Sequence, residues 1–117
     1  MVILAYLTRL KIWIVFLPNF KPVRLSGPAK NDLQAIARYT AKQWGASHKK
    51  NYLDLIKKSF NTLSTQGNFG RQCDEVAVGL FVYTIRKHSV YFRETEKEIQ
   101  IIRLLDSRMD VHQHLHE

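Results

Sequence analysis

An α+β domain, with a helical hairpin packed on one face of a small, mainly antiparallel sheet, is the architecture this 117-residue sequence predicts. Three observations point to it. Between residues 80 and 110 lie three runs rich in β-branched and aromatic residues, at 80–86, 89–94 and 99–105, separated by polar clusters at hairpin spacing. Upstream, two amphipathic stripes of helical period follow each other with a break of two or three residues. Finally, 117 residues with 45% hydrophobic content suit one compact domain around a single core. The expected order is β-α-α-β-β-β with a short C-terminal helix.

Residues 1–17, MVILAYLTRLKIWIVFL, are strongly apolar but carry Arg9 and Lys11 in the middle. That suits neither a spanning helix nor a signal peptide, whose charges precede the apolar run. Three readings remain: an amphipathic membrane- or partner-binding segment, an added strand or helix, or a start codon assigned too early. The last is preferred, which makes 1–17 an N-terminal extension and 18–117 the single functional domain.

A short strand is expected at 20–25, at an edge or starting at Pro22, because proline cannot donate to a ladder. Ser26-Gly27-Pro28 ends it and opens a helix running to about Trp44, with Leu33, Ile36, Ala37, Thr40 and Trp44 as its buried stripe. Gly45 closes this helix, Ser47 caps the next, and Tyr52, Leu55, Ile56, Ser59 and Leu63 form the second stripe until Gly67. In the three later strands, alternation assigns Phe81, Tyr83, Ile85, Val90, Phe92, Ile102 and Leu104 to the helix-covered face. Arg86, Tyr91, Arg93, Ile101 and Arg103 fall on the other. The second face then reads as a basic, partly aromatic surface suited to a polyanion or an acidic protein.

Lys and Arg number 18 against 10 acids, a net charge of +8, which favours an anionic or acidic partner. The single cysteine, Cys73, excludes an internal disulfide and fits a reducing, cytoplasmic setting. It lies in a loop-like stretch beside acids that raise a thiol pKa, and reads as structurally incidental rather than nucleophilic. No glycine-rich phosphate loop is present, which argues against nucleotide hydrolysis. His112, His114 and His116 alternate, but without acidic or cysteine ligands nearby they read as a solvated terminus, with no metal and no cofactor expected.

Several short motifs in fixed order carry a resemblance. Ala41-Lys42-Gln43-Trp44-Gly45, Tyr52-Leu53, Phe69-Gly70-Arg71 with Asp74-Glu75, Gly79, and His88 with Tyr91-Phe92-Arg93 lead to Ile102-Arg103-Leu104-Leu105 and Arg108-Met109-Asp110. Together, from about residue 20 to 115, the chain resembles the ParE toxins of the RelE/ParE superfamily. The resemblance implies a bacterial toxin acting on DNA gyrase so that replication stops, neutralised by a ParD-like antitoxin, without a small-molecule substrate or a membrane. One departure is Asp106, where many relatives carry histidine; if that histidine contributes to toxicity, this copy is weakened.

Target-binding candidates are Arg86, Tyr91, Arg93, Arg103, Arg108, Met109 and Asp110. Antitoxin-binding candidates are Leu33, Ile36, Tyr39, Tyr52 and Leu55. No catalytic residue is assigned. The alternatives are a ribosome-dependent mRNA endoribonuclease of RelE type, with His88 as the near-neutral titrating group and the arginines as charge stabilisers, or a non-toxic antitoxin-binding remnant. If the face assignment holds, Arg103→Ala reduces toxicity with little loss of folding, whereas Leu104→Ala costs about 2–5 kcal/mol.

Overall fold

A computed structural model describes residues 3–7, 12–16, 21–109 and 111–115, the first two segments as backbone alone. Strands β1 (Ile3–Leu7) and β2 (Ile12–Phe16) pair antiparallel in a two-stranded sheet of their own. The expected domain start at residue 18 falls outside the described residues. The main sheet has five strands, β3 (Val23–Leu25), β4 (Arg71–Gln72), β5 (Phe81–Ile85), β6 (His88–Glu94) and β7 (Ile99–Asp106), in the order β3-β7-β6-β5-β4. Only β3 runs parallel to its neighbour, pairing Val23 with Ile99 and Leu25 with Ile101.

The helical hairpin forms as expected. Ser26 caps α1 (Gly27–Trp44): its Oγ accepts from the Ala29 amide and donates to the Ile102 carbonyl, fastening the helix start to β7. Gly45, at φ +93°, is the whole connection to α2 (Ala46–Gln66), so Ser47 lies inside α2 and does not cap it. At ψ 172° this joint occupies a positive-φ extended region that only glycine enters without strain. Leu33, Ile36 and Thr40 are buried as expected, but Trp44 is 61% exposed. Its helical phase is that of the core stripe, but as the last residue of α1 it lines an open groove instead of the core. On α2 the deepest residues are Ile56, Phe60 and Leu63, while Tyr52, Leu55 and Ser59 are half-buried.

Face assignments hold for Phe81, Tyr83, Ile85, Val90, Phe92 and Leu104, all part of the core between helices and sheet. Ile101 and Ile102 are exchanged. Ile101 is fully buried beneath the helices, and Ile102 packs on the far side with Tyr91. The cause is an irregularity between Tyr91 and Phe92: Tyr91 pairs with Arg103 but Phe92 with Ile101, leaving Ile102 as an extra residue that resets the alternation.

Nor is the far face simply open and basic. Cys73, Ala77, Leu80, Val82 and Leu115 form a second buried cluster there, joined by Tyr91, Ile102 and Val111 from α3 (Val111–His114). Cys73 is therefore a core residue rather than an incidental one, and burial, then the neighbouring Glu75, pushes its thiol pKa up. The stretch at 70–75 also contributes the short edge strand β4, paired with Val82 and Phe81.

A cationic groove at the joint of the hairpin

At one end of the molecule the last turns of α1, the first turns of α2, the β5–β6 turn and the end of β7 surround a groove of about 790 Å³. Its helical wall carries Tyr39, Trp44, His48, Asn51 and Tyr52; its sheet wall carries Arg86, Lys87, His88, Arg103, Asp106, Arg108 and Met109. Tyr39 and Trp44 are 63% and 61% exposed, and the His48 ring of α2 lies 6.2 Å from that of Trp44 across the Gly45 joint. The sheet wall is knitted together by backbone: the Ser107 amide donates to the Lys87 carbonyl at 2.7 Å and the Met109 amide to the Asp106 carbonyl at 2.9 Å.

Both carboxylates of the groove, Asp32 of α1 and Asp106 of β7, are occupied. Arg103 Nε and Nη2 donate to the two oxygens of Asp32 at 2.7 and 2.9 Å, while Nη1 donates to the His114 carbonyl at 2.7 Å. Asp32 Oδ2 also accepts from the Leu104 amide at 3.0 Å, capping the edge of β7 beyond the end of β3. Arg103 thus ties β7 to α1 and to the C-terminal segment, with 21% of its side chain exposed. Asp106 accepts from the Arg108 amide, Nε and Nη2, and these contacts hold its carboxyl well down, to about 2. By contrast Arg86 and Lys87 are exposed at the turn, with no carboxylate among the described residues within ion-pair distance.

Arg86 is also the one described non-glycine residue with positive φ, at +51°. With Ile85 paired to His88, Arg86 and Lys87 are the entire loop of a two-residue hairpin, where a left-handed first residue is usual and glycine or asparagine is favoured. Beside this turn, Tyr52 Oη donates to the Ile85 carbonyl at 3.0 Å and lies 2.7 Å from His88 Nδ1. With the phenol proton given to Ile85, the neutral imidazole carries its proton on Nδ1 and keeps Nε2 as an acceptor. Burial lowers the His88 pKa against the opposing pull of Asp106 and Asp32.

Of the residues expected to bind a target, Arg86, Arg103, Arg108 and Met109 come together at this groove. Tyr91 packs instead on the second cluster, Arg93 stands opposite Gln100 towards the other end of β6, and Asp110 lies outside the described residues. The three arginines of β5–β7 thus do not share one patch. Of the expected antitoxin contacts, Leu33 and Ile36 are spent in the core; Tyr39 and Tyr52 line the groove; and Leu55 lines a shallower depression of about 410 Å³ with Phe69 and Tyr83. Trp44, His48 and Lys87 were not singled out as site residues from the sequence. Trp44 and His48 stand on opposite sides of the Gly45 joint, so no helical spacing in the sequence pointed to them. His112 and His114 lie in the short α3 and His116 falls outside the described residues; among the described residues no group of three or more His, Cys, Asp or Glu side chains is placed to hold a metal.

A hairpin of helices on a five-stranded sheet with a short terminal helix, and a cationic groove at the hairpin joint, defines a small α+β domain with one basic end. The model of the ParE toxin of the type II toxin-antitoxin system parDE matches residues 23–111, and the chain belongs to that family. It is 30% identical over 92 residues to Toxin ParE1 of Mycobacterium tuberculosis (strain CDC 1551 / Oshkosh), covering 78% of this chain and 94% of that one. Toxin ParE1 of Caulobacter vibrioides is 27% identical over 95 residues, covering 81% and 98% respectively. Among solved structures, a chain described as the chromosomal ParDE TA system from P. aeruginosa superposes with a TM-score of 0.62 at 26% identity, covering 72% of this chain and 92% of that chain.

Proposed function

We propose that this ParE-family chain inhibits DNA gyrase in the cytoplasm, stalls replication by accumulating cleaved DNA, and is neutralised by a ParD-like antitoxin. It does so by binding rather than by catalysis. The observation that carries this reading is the nearly complete coverage of relatives named Toxin ParE1. The solved neighbour, a chromosomal ParDE system, supports the antitoxin half. Tyr39, Tyr52 and Leu55 are the accessible members of the proposed antitoxin surface, and an amphipathic partner segment with acidic residues suits the exposed lysines of the hairpin. Among the described residues no helix is long and apolar enough to cross a membrane.

A second reading, mRNA cleavage, draws on His88, whose ring lines the groove beside Arg86 and Arg108. The two separate cleanly in purified reactions. Added to gyrase with supercoiled plasmid, the protein is expected to block supercoiling and accumulate linear DNA. Cut mRNA on translating ribosomes with gyrase untouched would overturn the gyrase reading.

A further inference from the structure

We propose that the groove at the hairpin joint binds nucleic acid directly, with phosphates on the β5–β6 turn and an unstacked base on the Trp44 face. This deepens the gyrase reading, since the species engaged would be the enzyme with its DNA, and it rests on that reading for its biological setting. Four cationic side chains line the groove, Arg86, Lys87, Arg103 and Arg108, against two carboxylates. Both carboxylates are neutralised from within, Asp32 by Arg103 and Asp106 by Arg108. Nothing anionic therefore remains in the described wall to repel a phosphate, while Arg86 and Lys87 stay available.

The opposite wall supplies what a purely acidic peptide would not need. Trp44 and Tyr39 are large aromatic side chains left nearly two-thirds exposed on a small domain. Trp44 follows the core period of α1 yet lines the groove with the cations, and its 61% exposure leaves ring surface for stacking. Cations on one wall and aromatic faces on the other are the arrangement by which proteins hold single-stranded or locally opened nucleic acid. The turn residue Arg86 keeps a long cationic side chain where the backbone favours glycine, an outlier that points to a use for that side chain.

The test is fluorescence anisotropy with the purified full chain and a fluorescein-labelled single-stranded oligonucleotide, without gyrase. Binding is expected to weaken steeply as salt rises, by a slope corresponding to about two released counterions or more. Trp44→Ala is expected to weaken it about fivefold to a hundredfold. Arg86→Gly, which suits the turn backbone, is expected to weaken it and flatten the salt slope. Thermal melting of both variants confirms folding. Absence of oligonucleotide binding by a preparation that poisons gyrase would overturn the inference and leave the gyrase reading standing. Equal binding of oligoglutamate, insensitive to Trp44→Ala, would assign the groove to an acidic protein instead. Oligonucleotide binding by a preparation inert towards gyrase would sustain the inference and sink the gyrase reading.

Discussion

Arg103 and Arg86 carry the same charge, line the same groove and have opposite roles. Arg103 holds Asp32 through two nitrogens and the His114 carbonyl through a third. Truncating it leaves a half-buried carboxylate without its partner, so Arg103→Ala is predicted to cost about 2–4 kcal/mol in urea unfolding, in contrast to the little loss expected from sequence. Arg86→Gly is predicted to leave the melting temperature unchanged or slightly raised, because relief of a left-handed arginine offsets the extra freedom of glycine in the unfolded chain. His88 sets a pH dependence. Its folded pKa lies below the usual value because it is half-buried, so its contribution is complete above about pH 6.5 and is lost as pH falls through the folded value. His88→Asn is predicted to flatten stability between about pH 7 and pH 5, measured by melting across that range.

The elements themselves were largely legible. Helical periodicity located α1 and α2 because their stripes are long, and the three later strands announced themselves through runs of β-branched and aromatic residues. The irregularity that exchanges Ile101 and Ile102 left no trace, since two adjacent isoleucines look equally fit for either face. Ile101→Ala is accordingly predicted to cost about 2–5 kcal/mol, and Ile102→Ala, at its half-buried position, clearly less. Strand β4 is too short to show a period, and the second cluster unites Cys73, Leu80 and Leu115 across sequence separations that no local pattern reports. Gly70 was visible only as part of a motif. A Cβ there would stand 2.7 Å from the buried Phe92 ring, so Gly70→Ala is predicted to destabilise by about 1–3 kcal/mol through overpacking.

At the scale of the whole molecule, the net charge of +8 indicated an anionic or acidic partner but not where it binds. Sheet parity suggested the far face. The fold instead closes part of that face with a second core and gathers Arg86, Arg103 and Arg108 at the end where the hairpin turns. Trp44 was assigned to the core because helical phase does not report that the last residue of a helix faces an open groove. The central proposal is that a target engages this groove through Arg86, with Arg103 built into the scaffold. Gyrase-mediated plasmid cleavage by Arg86→Gly, at matched folded concentration, tests it most directly. The account predicts at least a roughly tenfold loss of linear DNA, equivalent to about 1.4 kcal/mol of binding, with an unchanged melting temperature. Cleavage at the level of the unsubstituted protein would contradict it.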